Sequence, residues 1–467
     1  MTALPAILPT TLLRDSRALA TLAVPLILTQ LAQVALTTTD SVMMGLLGTE
    51  ELAAGGLAIV LFNQLRTMGV GLVTSVGNRI AAAAARAERA QTAEEHGEIR
   101  AIVRASLAVA TLAGLAGAAL MLLIGQALTW LGQDAAVVRL TRPMLLALAP
   151  GLLPCLWFQT IRQFTVGMRR PQALLRITLA SIVVNAGLNW GLIHGTWWLP
   201  RLGLTGIGVA TSTVHLLSFL ALYLSAKKDR RLAPLLTLNA AQADAATTKR
   251  LVALGVPIAA TYGSEAGFFS VTALLAGAFG PAALAAHTAV NQLVYIVFQV
   301  AVGLSHAASL NVSRELALGR PDDARRLKNT ALACAAAVMT LVGLAYFAAP
   351  RLVLAPFLDS GPRSGQALTL ATHLLMVTAF LQFFDCAQNI GVGLLRGLDD
   401  TKSGFRITLI GYWAIGLPAA WLLAHPLHLE VLGIWLGLLT GLATTAVLLL
   451  RRYHHRLAGR TNEAVPA

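Results

Sequence analysis

The sequence has 467 residues, 56% hydrophobic and only 12% charged. A soluble domain carries roughly 25% charged residues, so a water-soluble enzyme with an ordinary surface is excluded. The net charge of +14 raises nucleic acid as a partner, but the placement of the charges points to a lipid bilayer.

In chain order, apolar runs long enough to cross a bilayer, ~20 helical residues each, recur twelve times. They cover residues 18–44, 53–78, 103–131, 136–167, 174–195, 204–226, 251–279, 283–312, 329–357, 366–396, 404–424 and 431–450. Most begin or end at glycine, proline or a charge cluster. The run 136–167 exceeds the minimum and predicts tilt or bending. Residues 1–17 form a short lead; Arg14 and Arg17 follow its apolar stretch, the reverse of a secretory signal. Trp197 and Trp198, beside Pro200, are expected as interfacial anchors. Cys155, Cys334 and Cys386 are widely spaced, with no metal-ligand pattern, and read as small buried apolar residues.

With the N-terminus inside, 28 of the 35 Lys and Arg fall in inner loops and tails. Five fall outside: Arg139, Arg142, Arg201, Arg351 and Arg363. Arg66 and Arg162 lie within spans, the latter expected to snorkel. The positive-inside rule then predicts a multi-pass protein with both termini cytoplasmic, and an even number of spans requires that agreement. Nucleic acid is not expected as a partner.

The chain repeats itself. Val24-Pro25 recurs as Val256-Pro257, Gly45 and Gly48 as Gly277 and Gly280, and Ala53-Ala54 as Ala285-Ala286, all at an offset of 232. Gly167 and Arg176-Ile177-Thr178 recur as Gly397 and Arg406-Ile407-Thr408, at 230. An offset of six spans preserves orientation, so the halves are parallel repeats. The expected fold is all-α and integral to the membrane: twelve transmembrane helices in two pseudo-symmetric six-helix bundles. The expected division is a lead to residue 17, bundles 18–226 and 251–455, a basic linker 227–250 and a tail 456–467. Folds of this kind place substrate between the halves near the midplane.

Three acidic residues fall inside spans: Asp40, Glu265 and Asp385. An ionised carboxylate in hydrocarbon costs several kcal/mol, so such groups face a bundle interior or a water-filled cavity. Charged when open to water, and protonated or cation-bound when occluded, they suit exchange of one cation for another. The competing reading is structural pairing, for example with Arg66. Thr37, Thr38 and Thr39 precede Asp40 and offer hydroxyls to water or an ion. Asn185 and Asn189 are one helical turn apart on one face; they suit Na⁺ coordination or interhelical hydrogen bonding. Tyr295 offers a π-face to a cation, against a packing role. His287 and His306 read as hydrogen-bonding residues, with a proton relay as the alternative. Gly391-Val392-Gly393 and Gly437 to Gly441 read as close helix packing.

No phosphate-binding loop, zinc-protease or serine-hydrolase motif is present: Lys402-Ser403 follows Asp399-Asp400-Thr401 rather than a glycine loop. No enzyme activity is expected, and the energy source is then an ion gradient or a partner.

These residues resemble the multidrug and toxic compound extrusion family, MATE, over roughly residues 14 to 455. The carrying segments are VPLILTQLAQVALTTTDSVMMGLLGTEELAA, NAGLNWGLIHG with GLTGIGVATS, VPIAATYGSEAGFF, AAHTAVNQLVYIVFQVAVGLSHAAS and FFDCAQNIGVGLLRGLDDTKSG. The chain looks like the bacterial NorM-type branch, which pairs a glutamate in span seven with an aspartate in span ten, here Glu265 and Asp385. The resemblance assigns Asp40, Asn185, Asn189 and Thr211 to a first-half cation site. The second span-five position is acidic in some members and is Asn189 here, a departure that weakens Na⁺ binding or favours H⁺ and leaves the choice between the two ions open. Arg66 departs from the family pattern.

The resemblance implies efflux of organic cations in exchange for Na⁺ or H⁺ by alternating access. No cofactor is implied, and a monomer in the bacterial inner membrane is expected. A flippase for lipid-linked oligosaccharides is the nearest alternative, and a receptor or scaffold the next. A flippase for anionic head groups wants net positive charge in its cavity, whereas the second half here shows two carboxylates and no mid-span Lys or Arg.

Overall fold

The computed structural model describes residues 9–90, 93–130, 134–196, 199–358 and 365–463. Trp197, Trp198 and Arg363 lie outside the described residues. All regular structure among the described residues is helical. The helices are α1 Pro9–Leu47, α2 Thr49–Ala90, α3 Ala93–Ala127, α4 Ala135–Gly167, α5 Gln172–His194, α6 Leu204–Lys228 and α7 Ala245–Gly277. There follow α8 Pro281–Ala317, α9 Pro321–Ala348, α10 Pro350–Leu354, α11 Gly365–Gly397, α12 Thr401–Leu409, α13 Leu417–Ala424 and α14 Glu430–Glu463.

Eleven described segments are long and apolar enough to cross a membrane, counting Thr401–Ala424 as one. At 33 residues α7 is also long enough, but Thr261, Tyr262, Ser264 and Glu265 dilute its apolar character. One expected span is shorter than the sequence suggested. The run 329–357 is cut at Ala349, because Pro350 has no N–H to continue α9 and disfavours helical geometry in the residue before it; Ala349 sits at φ −142° and a five-residue helix restarts at Pro350.

The chain forms two compact units, one of Leu28–Gly263 and the other of Met1–Ile27 with Ser264–Ala467. Each boundary falls inside a long helix: in α1 two residues after Pro25, and in α7 six residues after Pro257. Within Leu28–Gly263, α4 is the hub, packed on α2, α3 and α6. Phe62, Met121, Met144, Leu148 and Ile207 fill the core between them. In the other unit the hub is α11, packed on α8, α9 and α14, around Phe268, Val290, Leu375, Trp435 and Leu442. The starts of α2 and α8, Thr49 and Pro281, are 232 residues apart, and those of α4 and α11, Ala135 and Gly365, are 230 apart. The sequence repeat is therefore a repeat of internal packing.

Of the expected linker 227–250, the ends belong to α6 and α7, and the stretch between them carries two 3₁₀ turns, Ala233–Leu235 and Ala240–Gln242. It buries Leu232 and Leu235, and Arg104 Nε donates to Thr237 Oγ1 at 3.2 Å.

Glycines let α14 approach its neighbours. A Cβ on Gly437 would stand 2.3 Å from the Ala420 backbone, one on Gly433 2.5 Å from Ala424 N, and one on Gly441 2.8 Å from Gly416 Cα. Gly391 and Gly393 meet Leu449 and Ser305 as closely. Between α12 and α13 the helix widens into a π-helical stretch, Ile410–Gly416. Pro418 lacks the N–H that an α-helix would give Ala414, and an inserted residue of this kind is one accommodation.

Candidate functional site

The first cluster is built by α1, α5 and α6 inside Leu28–Gly263. Asp40 on α1 is 2% exposed. Its Oδ1 accepts from Asn185 Nδ2 at 2.6 Å and Asn189 Nδ2 at 2.7 Å, and its Oδ2 from Thr211 Oγ1 at 3.1 Å. The one-turn spacing of Asn185 and Asn189 puts both amides on one side of α5. All three donors are neutral, and no cationic side chain pairs with Asp40 among the described residues. Charge-assisted hydrogen bonds contribute about 1.5–3 kcal/mol each, which offsets the cost of an ionised carboxylate in an apolar bundle. The Oδ1 atoms of Asn185 and Asn189 are buried without a partner. Since an amide can present either end, the cage offers a small hard cation two carbonyl oxygens, a hydroxyl and a carboxylate.

Thr37 lines the same cleft as Asp40, but none of Thr37, Thr38 and Thr39 donates to the Asp40 carboxylate among the described hydrogen bonds. Their hydroxyls bond back to carbonyls of their own helix: Thr37 to Val34 O, Thr38 to Val34 O and Thr39 to Ala35 O, each at 2.9 Å. Such back-bonding is the default for a helical threonine with no better partner.

The second cluster lies within Ser264–Ala467. Glu265 Oε1 on α7 accepts from Tyr412 OH at 3.2 Å and lies 3.5 Å from Gln388 Nε2 on α11. Asp385, 4% exposed, accepts from Asn389 Nδ2 at 3.2 Å, one turn along α11. Tyr412 stacks on Phe268 with ring centres 4.9 Å apart, 11° from parallel. Trp413 Nε1 donates to Ser264 Oγ at 2.8 Å, fastening the π stretch to α7 beside Glu265. Gln388 Oε1 is buried without a partner. Both carboxylates are thus met by neutral groups, again with no cationic side chain paired to them among the described residues.

Sequence reasoning missed Gln388, Asn389, Tyr412 and Trp413. Gln388 and Asn389 stand three and four residues after Asp385, the helical spacing for a shared face. Tyr412 reaches Glu265 from the π stretch, which only the nearby Gly411, Gly416 and Pro418 hinted at.

Other candidates fall elsewhere. Tyr295 is 44% exposed and shares no described hydrogen bond with Glu265 or Asp385. His287 is buried edge-on against Trp435 at 5.6 Å, neither ring nitrogen hydrogen-bonded among the described residues; His306 is buried on α8. Arg162 does not snorkel. It is 3% exposed and donates to Gln159 Oε1 and Gln30 Oε1, both at 3.1 Å; two amide acceptors satisfy it in place. Arg66 pairs with none of the three acids; its Nε donates to Asn63 Oδ1 at 3.2 Å.

The family model described as MatE matches the chain twice, over residues 25–191 and 257–422. Both matches begin at the proline of the repeated Val-Pro. The chain is 35% identical over 436 residues to a probable multidrug resistance protein NorM of Pseudomonas aeruginosa, covering 93% of this chain and 88% of that protein. It is 34% identical to one of Burkholderia mallei, covering 96% and 95%. Among solved structures it resembles the outward-facing conformation of a multidrug resistance MATE family transporter of the MOP superfamily. There the TM-score is 0.84 at 16% identity, over 99% of this chain and 100% of that one.

Proposed function

The chain belongs to the MatE family, and from that premise we propose that it is a secondary active multidrug efflux transporter that exports organic cations in exchange for Na⁺ or H⁺. The observation that carries this reading is the pair of carboxylate clusters, buried Asp40 in one half and half-buried Glu265 with buried Asp385 in the other, each dressed only by neutral donors among the described residues. A carboxylate with no built-in counter-charge binds whichever cation reaches it. A coupling ion and a cationic cargo therefore compete for it, and competition at a site open alternately to two compartments is exchange. Asn185, Asn189 and Thr211 complete an oxygen cage suited to Na⁺ around Asp40. Tyr412 and Gln388 hold Glu265 in place for either ion. Tyr295 is a cargo contact through its ring face.

The protein works in the bacterial inner membrane as a monomer, with both termini cytoplasmic and the basic loops on that side. Alternation is rocking of the two repeats, with bending near Pro25. A flippase for anionic lipid-linked cargo is the second reading, favoured only by Arg66.

The test is flux in proteoliposomes with Na⁺ and pH gradients imposed separately. One of the two gradients drives ethidium transport in the native protein. Cells making Glu265→Gln accumulate ethidium as empty cells do, at unchanged protein level. Full efflux by that variant removes Glu265 from the mechanism, and flux driven by neither gradient removes the exchange reading.

A further inference from the structure

The exchange reading leaves Arg66 without work. It lies 17 residues from the start of α2 and 24 from its end, Thr49 to Ala90, so about 25 Å and 36 Å from the two ends at ~1.5 Å per residue. A side chain of that length cannot snorkel to either. Its Nε bonds to Asn63 Oδ1 at 3.2 Å, and no carboxylate forms an ion pair with it among the described residues.

Arg66 lines a partly open cleft within Leu28–Gly263, whose wall also carries Asp40, Gln33, Gln159 and His215. Phe62 and Phe158 give the cleft an aromatic wall. One wall group is negative and another positive, with neutral amides between. Arg162 lies alongside, already satisfied by Gln30 and Gln159.

We propose that Arg66 is a specificity-determining residue whose guanidinium takes a carboxylate of the cargo, so that this cleft selects zwitterionic organic cations. A guanidinium held inside a membrane protein without an anionic partner is costly, and a partner arriving with the cargo removes that cost only while cargo is bound. The planar fork of arginine matches a carboxylate in two parallel hydrogen bonds, which fixes orientation as well as charge. The cationic end of the same molecule is then left to Asp40.

This rests on the export reading, and the experiment separates the two. The probes are one rhodamine dye as its methyl ester, a cation, and as its free acid, a zwitterion. Export by proteoliposomes and binding by fluorescence anisotropy are measured for both. The native protein exports both. Arg66→Gln weakens binding of the free acid by about tenfold or more, the scale of one charge-assisted pair, and leaves the ester within about twofold; Arg66→Lys recovers part of the loss. On the native protein, benzoate displaces the free acid and spares the ester. Equal shifts for the two dyes, or none, overturn the role of Arg66. So does benzoate that displaces both or neither, an arm that holds even where Arg66→Gln does not fold. A native protein that exports neither dye overturns the export reading itself.

Discussion

At the scale of the residue, Asp40 is held by three neutral donors and, among the described residues, no counter-ion, which separates function from stability. Asp40→Asn keeps the shape, removes the charge and lifts a burial cost. Gradient-driven flux is expected to fall at least about tenfold, while thermal stability stays equal or rises. A variant that transports normally but melts many degrees lower would show Asp40 to be a structural strut. Much of this site was legible: a carboxylate in an apolar run is costly enough to mark itself, and Asn185 with Asn189 follow from a one-turn spacing. Tyr412 and Gln388 were not, because a tyrosine or glutamine in a span costs little and no local pattern distinguishes it. Arg162 was misjudged for a related reason. Its acceptor Gln30 is 132 positions away in sequence, and nothing local shows that a distant amide will satisfy a guanidinium.

At the scale of the element, close approach decides which positions tolerate a side chain. Gly437→Ala places a methyl 2.3 Å from the Ala420 backbone, which neither helix can yield without moving. A loss of about 1–3 kcal/mol is expected, the range for overpacked cores, read as a lower melting temperature in detergent and lower yield. Gly187→Ala on α5 meets nothing within 4 Å and is expected to be neutral or to stabilise by about 0.5–1 kcal/mol. Equal behaviour of the two would mean that α13 and α14 are not packed as described. The glycine spacing itself was readable. The break at Ala349 was readable in principle from Pro350, but a proline flanked by apolar residues is easily absorbed into a hydropathy count. The π stretch was hidden more deeply, because one inserted residue leaves composition and period almost unchanged.

At the scale of the whole molecule, the repeat was the strongest signal in the sequence, and it returns as two hubs with matching neighbours, α4 and α11. Sidedness is a matter of charge. A fluorescent protein fused after Ala467 is expected to fluoresce, and alkaline phosphatase fused near Pro200 to be active; the opposite pair of results would invert the protein. The neutrality of the donors around Asp40 has an electrical consequence. Asn185, Asn189 and Thr211 bring no charge of their own to that carboxylate, and the protein returns to its starting state each cycle, so every charge carried across belongs to the travelling ions and cargo. A one-for-one swap of monovalent species moves none and ignores membrane voltage. A cargo of zero net charge moves one, driven by ~2.3 kcal/mol per 100 mV. The voltage sensitivity of transport therefore counts the coupling ions, cargo by cargo.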